Sequence, residues 1–219
     1  MSQTPNTDSD TPTPTMTTPR RLLFIASIGN KAPYRKTRHS AGHLVLDAVK
    51  PLLTPSLPNT GAFHETWYSP TYMNESGPKL VRQMEKWSTR QNELCTKAYS
   101  EGSSTPYPTT LVILHDEMEA PLGKLRVRRG GPESFSLRGH RGLISVCETL
   151  RGKGLYPARG KPAVDLSILR IGVGIGRPDS REKGAVSDYV LAPVNEAEMK
   201  AYHGTAESVV QIIGEELYR

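Results

Sequence analysis

No stretch of this 219-residue chain approaches the ~18 consecutive apolar residues that a membrane-crossing helix needs, so a transmembrane protein is excluded. Cysteine is scarce. Cys95 and Cys147 are the only two, too few for a disulfide framework or a zinc cage. The chain does not open on a basic segment followed by an apolar one, so no secretory leader is expected, and the reading is a reduced, intracellular protein. Repeats of solenoid period are absent as well. What remains, 36% hydrophobic and 23% charged, fits one globular domain carrying a tail.

Residues 1 to 20 hold seven Thr and four Pro and almost nothing apolar, a composition that cannot offset the entropy of ordering. A disordered tail is expected there, and a folded domain over 21 to 219. Asp8 and Asp10, against a single Arg20, do not suit a transit peptide. A cytoplasmic location is therefore expected, with a mitochondrial one as the alternative. The net charge of +6 is unevenly spread. Between Lys124 and Lys183 fourteen Lys and Arg face five acids, a net +9, while Gly184 to Arg219 nets −4. Such a basic third suits either solvated strand and loop faces or a surface for a polyanion such as nucleic acid.

Arg21 to Ile28, Thr110 to Leu114 and Asp165 to Gly176 are continuous apolar runs of the kind found in strands buried on both faces. Ala62 to Tyr68 and Leu125 to Arg129 alternate like strands. Thr37 to Leu53 spaces Ala41, Leu44, Val45, Ala48 and Leu52 along one helical face, which puts His39 in that helix's first turn. Ser76-Gly77-Pro78 opens a helix through about Asn92, and Gly139 to Leu150 suits another. Asn195 to Leu217 reads as a closing amphipathic helix that Gly204 or Gly214 interrupts. Strands alternating with helices predict an α/β fold with one mixed, largely parallel sheet flanked by helices. Ligands in such folds gather beyond the carboxyl ends of the strands. Asn30, Asn74 and the pair His115-Asp116 follow strand ends in this way.

A carboxylate at the end of an apolar strand is expensive without a partner, which marks Asp116. An Asp accepting the Nδ1–H of His39 would fix the tautomer and steady the imidazolium, making His39 a general base. Taken by itself, His39 reads first as a solvated first-turn histidine. No serine sits in a nucleophile elbow and no cysteine lies near, so water would be the nucleophile. His115, Asp116, Glu117 and Glu119 offer metal-ligand chemistry, but neighbours on an extended chain point to opposite faces and cannot chelate one ion. Gly172 to Gly176 lacks a following helix and a fingerprint spacing, so close backbone packing rather than nucleotide binding explains it.

Taken in order, five blocks resemble the bacterial-type peptidyl-tRNA hydrolase family. They are Ser27-Ile28-Gly29-Asn30 with Tyr34 and Thr37-Arg38-His39; Thr71 to Gly77; His115-Asp116-Glu117-Met118 with Pro121-Leu122-Gly123; Gly139-His140-Arg141-Gly142-Leu143; and Leu169 to Pro178 with Asp188-Tyr189-Val190-Leu191. They run from about Leu22 to Met199. The resemblance implies a monomeric α/β enzyme that hydrolyses the ester between a peptide and the 3′ ribose of tRNA, with no metal or organic cofactor and no membrane partner. It implies that His39 is the base, that Asp116 supports it, and that Asn30 checks the acylated substrate. Tyr34 would lie near the tRNA 3′ end, and Tyr72 and Asn74 would hold the terminal adenosine and the peptide. Phosphates of the acceptor arm would be gripped by Lys124, Arg126, Arg128, Arg138, Arg141 and Arg170. Phosphate contacts carry no sequence information, which suits an enzyme that accepts all tRNAs.

Several positions depart from the family pattern. Asn30-Lys31-Ala32 replaces Asn-Pro-Gly in a loop one residue shorter, Ser40 stands where an Asn is usual, and the segment Gly130 to Arg138 is longer. Arg141 replaces the Asn of Gly-His-Asn-Gly, so a cation that only donates stands in for an amide that also accepts. A non-catalytic RNA-binding relative, like the hydrolase-like splicing factors of plant organelles, is the competing reading. Joint retention of Asn30, His39, Asn74 and Asp116, which a binder does not need, favours the enzyme.

Overall fold

The computed structural model describes residues 19–57, 63–99, 106–130, 137, 139–155 and 166–219. Five strands form one sheet among these residues: β1 (Leu22–Ser27), β2 (His64–Tyr68), β3 (Thr109–Glu117), β4 (Leu125–Arg129) and β5 (Leu166–Gly174), in the order β2-β1-β3-β5-β4. Every pairing is parallel except that of β4 with β5. The mixed, largely parallel sheet expected from the sequence is thus present. β1 and β3 lie inside the sheet and are buried on both faces, which is why they read as unbroken apolar runs.

Helices cover both faces. On one, Phe24, Ala26, Leu111 and Ile113 pack against Leu80, Val81 and Met84 of α2 (Ser76–Tyr99) and Leu143, Val146 and Leu150 of α3 (Arg141–Gly152). On the other, Leu23, Ile25, Val112 and Ile171 meet Leu44, Val45 and Val49 of α1 (Ala41–Ser56). Tyr202 of α5 (Glu196–His203) and Val209, Ile213 and Leu217 of α6 (Ala206–Leu217) complete that layer. Each of these wholly buried aliphatic or aromatic side chains contributes about 1.5–3 kcal/mol over leaving it in water.

Four expectations shift. His39 lies in a separate 3-10 turn, Arg38–Ser40, just before α1, rather than in the helix itself. α2 continues to Tyr99, its buried positions running on through Gln91 to Cys95. The closing helix is two, broken at Gly204, one of the two glycines singled out. A further helix, α4 (Lys183–Leu191), has no fully buried residue and so no apolar stripe to betray it. The expected tail falls outside the described residues up to 18. Pro19 is buried, and the Arg20 N–H donates to the Leu217 carbonyl at 2.9 Å.

Candidate active site

β3 ends in His115-Asp116-Glu117, and the odd and even residues take opposite faces. Asp116 is 4% exposed, and each of its oxygens accepts an imidazole N–H. His39 Nδ1–H donates to Oδ2 at 2.9 Å, and His140 Nε2–H donates to Oδ1 at 3.1 Å. His140 is the N-cap of α3, and its Nδ1 accepts the Leu143 N–H at 3.2 Å. That bond fixes the tautomer: with Nδ1 occupied as an acceptor, the proton of a neutral His140 must sit on Nε2, facing Asp116. Burial alone would raise the Asp116 pKa. The charges and hydrogen bonds of His39 and His140 more than reverse this, holding the carboxyl well below the usual range. Asp116 is therefore an anion bracketed by two rings whose centroids lie 5.6 Å apart.

Burial pulls the His39 pKa down, but the Asp116 carboxylate raises it further, and the net shift is upward. With Nδ1–H committed to Asp116, Nε2 of the neutral ring carries the free lone pair. His115 is held neutral, its pKa lowered to about 3 by burial and then by the neighbouring His140, while its Nδ1–H donates to the Asp116 carbonyl at 2.7 Å.

A cleft of ≈ 480 Å³ opens beside His39, lined also by Asp116, His115 and His140. The register explains its floor. His115 and Glu117 of β3 share a face with Arg170, Gly172 and Gly174 of β5 and with Arg126 and Arg128 of β4. A Cβ on Gly172 would come 2.8 Å from Glu117 Cβ and 3.1 Å from the His115 ring, and one on Gly174 would overlap the Pro121 carbonyl. Close packing thus accounts for these glycines. Val186 and Val190 of α4, with Leu137 and Leu143, supply apolar wall.

Of the expected phosphate contacts, Arg170 is at the cleft floor, 2% exposed. Arg126 and Arg128 line the same cleft and flank Glu117 at 3.8 and 3.9 Å. Lys124 and Arg141 are on the open surface, and Arg138 lies outside the described residues. Arg141 is the first residue of α3, where the helix dipole disfavours a cation.

Asn30, Tyr34, Tyr72 and Asn74 lie outside the cleft lining but are tied to its edge. The Asn30 N–H donates to Ser40 Oγ at 2.9 Å, and the Ser40 hydroxyl donates to the Tyr34 carbonyl at 2.8 Å, so the short Ser40 side chain bridges the loop to the His39 turn. Asn30 Oδ1 accepts the Met73 N–H at 2.9 Å, leaving its NH₂ group as the free end. Asn74 follows in the 3-10 turn Met73–Glu75 and is exposed. Tyr34 and Tyr72 are 40% and 38% exposed, and the Lys31 ammonium sits 4.6 Å from the Tyr72 ring centre. Gly142 joins this group to the cleft, since a Cβ there would meet Met73 Cγ at 2.5 Å and His140 Cε1 at 3.3 Å.

The sequence gives His140 no role in the site, and His115 none beyond its place at a strand end. The available signal was the cost of Asp116 itself, since a buried carboxylate has more lone pairs than one imidazole can satisfy. Among the described residues no group of three or more His, Cys, Asp or Glu is arranged to hold a metal ion.

Comparison with known proteins bears on this geometry. Residues 24–218 match the family model described as peptidyl-tRNA hydrolase. The chain is 34% identical over 182 residues to a probable peptidyl-tRNA hydrolase of Schizosaccharomyces pombe, covering 82% of this chain and 75% of that protein. It is 32% identical over 190 residues to the peptidyl-tRNA hydrolase of Moorella thermoacetica, covering 81% of each. The crystal structure of peptidyl-tRNA hydrolase from Acinetobacter baumannii shares the fold, with a TM-score of 0.55 at 21% identity over 90% of each chain.

Proposed function

The chain belongs to the peptidyl-tRNA hydrolase family, and from that premise we propose that it hydrolyses the ester joining a peptide, or an N-blocked aminoacyl group, to the 3′ ribose of tRNA. The observation that carries the reading is the His39–Asp116 hydrogen bond of 2.9 Å, which leaves His39 Nε2 free beside an open cleft. In the first step Nε2 takes a proton from water as the water oxygen bonds to the ester carbonyl carbon and the carbonyl π electrons move onto oxygen. In the second, the carbonyl re-forms, the bond to the ribose 3′ oxygen breaks, and that oxygen takes the proton from Nε2. Asp116 stays anionic throughout and stabilises the transient imidazolium, a contribution of about 10²–10⁴ in rate for a positioned base. His140 holds the second carboxylate oxygen, so Asp116 cannot rotate away from His39.

In this reading the free NH₂ of Asn30, together with Asn74, orients the peptide, and Tyr34 and Tyr72 flank the tRNA 3′ end. Lys124, Arg126, Arg128 and Arg141 meet acceptor-arm phosphates, whereas Arg170, 2% exposed, stays beneath them in the cleft floor instead of reaching a phosphate as expected. A phosphate reaching Arg126 and Arg128 competes with Glu117 for both. A monomeric enzyme is part of this reading. Release of free tRNA from purified N-acetyl-aminoacyl-tRNA, with unblocked aminoacyl-tRNA as control, tests the assignment. Rapid release from the blocked substrate only is expected, and RNA binding without turnover would return the chain to the non-catalytic reading.

A further inference from the structure

The turn that carries His39 is only three residues long, and its own hydrogen bonds cannot hold it still. Main-chain bonds lay it along the link between α4 and α5: the Arg38 N–H donates to the Ala192 carbonyl at 3.3 Å, and the Val194 N–H donates to the Lys36 carbonyl at 3.0 Å. The Arg38 side chain adds something the backbone cannot. Its Nε–H donates to Glu198 Oε1 at 2.6 Å, an NH1 hydrogen goes to the Tyr189 carbonyl at 3.0 Å, and the guanidinium lies 4.5 Å from the Tyr189 ring centre. Each partner is itself fixed. Glu198 Oε2 accepts the Asn195 N–H at 2.9 Å in the capping box of α5, and the Tyr189 hydroxyl donates to the Ile175 carbonyl at 2.6 Å, just past β5. One planar fork therefore joins the base's turn to α4 and α5, with its ion pair only 15% and 9% exposed.

We propose that Arg38 is a positioning residue for the hydrolysis: it clamps the His39 turn to α4, so that the base and the apolar wall of the cleft keep a fixed spacing. The inference rests on His39 being the base. α4 buries no residue fully, presents Val186 and Val190 to the cleft, and meets the core only through the partly buried Tyr189 and Val190, so the Arg38–Tyr189 contact adds a polar tie to a thin apolar seat. Arg38 does not line the cleft and touches no reacting atom. It acts through His39 and α4, and it gives a role to Tyr189 in the Asp188-Tyr189-Val190-Leu191 block, which the chemistry leaves unused.

The test compares the full-length chain with Arg38→Gln, Glu198→Gln, the double variant and Arg38→Lys. The readouts are kcat and KM for N-acetyl-aminoacyl-tRNA and the titration of His39 by NMR. Arg38→Gln is expected to lower kcat about 10- to 100-fold, the scale for a small misplacement of a reacting group, with KM within about threefold. The His39 midpoint falls toward the ordinary 6.5 as its bond to Asp116 loosens, the other group facing the ring being His140. Deleting a nearby cation would by itself move that midpoint up, so a fall reports lost alignment. The double variant is no worse than the worse single, because the two residues act as one unit. Arg38→Lys keeps the charge without the fork and stays within about threefold of Arg38→Gln. A kcat restored by lysine, a loss carried by KM, multiplicative double-variant losses, or a His39 midpoint that holds or rises overturns the proposal. If Arg38→Gln does not fold, Arg38→Lys carries the same test. Absence of hydrolysis by the unaltered chain would count against the base assignment, while the titration still decides the clamp.

Discussion

Replacing Asp116 with asparagine is expected to disable the base through a forced choice of tautomer. The carboxylate accepts two N–H groups, from His39 and from His140. An amide of the same shape has one acceptor and one donor end, so only one imidazole N–H can be satisfied. His140 cannot give way, because its Nδ1 already accepts the Leu143 N–H, and moving its proton there would break that bond and set two donors against each other. His39 has no second partner holding its tautomer. The amide oxygen therefore turns to His140, the NH₂ faces His39 Nδ1, and the His39 proton moves to Nε2, where it blocks acceptance of a proton from water. A wrongly protonated base in a His–Asp pair costs about 10⁴ in kcat, equivalent to about 5.4 kcal/mol of barrier. The same logic makes a less obvious forecast. Adding His140→Ala frees the amide oxygen for His39, so the double variant should hydrolyse at least about tenfold faster than Asp116→Asn alone, although His140→Ala in the native background slows the enzyme. Single-turnover release of tRNA from N-acetyl-aminoacyl-tRNA measures all four forms. Near-normal turnover of Asp116→Asn, or a double variant no faster than that single, would refute the reasoning.

His39→Ala should lower kcat by at least about 10²-fold while tRNA affinity, read by filter binding, changes little. Affinity for tRNA should fall with salt at a slope of about −0.7 to −0.9 per phosphate neutralised, and Arg126→Ala or Arg128→Ala should each reduce that slope by about one; an unchanged slope in both moves the RNA surface elsewhere. Arg141→Asn should raise KM at low salt, less so at high salt, with kcat equal or higher, because an exposed cation grips the ground state and the transition state alike; an unchanged low-salt KM would leave Arg141 as a plain surface charge. Folding should weaken in mild acid: burial lowers the pKa of His43 and of His115 to about 3, so below about 6.5 the unfolded chain binds two protons that the folded chain refuses. The loss is at most about 2.7 kcal/mol per pH unit for the pair. Asp116, held low, adds a loss only below its ordinary range near 3.9, and the raised His39 contributes stability that is fully present below about 6.5 and lost as pH rises through its folded value. Urea midpoints that stay level between pH 7 and 5 would contradict the buried neutral state of the two histidines.

Where one segment carries its own cause, the sequence displays the structure. β1 and β3 are legible because interior parallel strands are apolar throughout, and Asp116 because a charge ends such a run. Leu125 to Arg129 alternates because the Arg126 and Arg128 face looks into a cleft while Val127 looks to solvent. Where the cause lies far along the chain, the sequence is silent. Helical spacing begins at Ala41 and nothing local separates the His39 turn from α1; the turn is held by main-chain bonds to Ala192 and Val194 and by Arg38 reaching Glu198 and Tyr189, 160 and 151 residues away. α4 carries no apolar stripe, because its valines line a cleft and only Tyr189 and Val190 pack partly on the core. His140 reads as part of a glycine-flanked helix start, and only folding brings it to the free oxygen of Asp116.

The most direct test of the account is hydrolysis of N-acetyl-aminoacyl-tRNA in water carrying heavy oxygen, with the unaltered chain and with His39→Ala in parallel. Attack by water activated at His39 predicts one heavy oxygen in the carboxylate of the released N-acetyl amino acid, none in the ribose 3′ hydroxyl, and release by His39→Ala slowed at least about 10²-fold. Label in the ribose, or equal release by both forms, would contradict it.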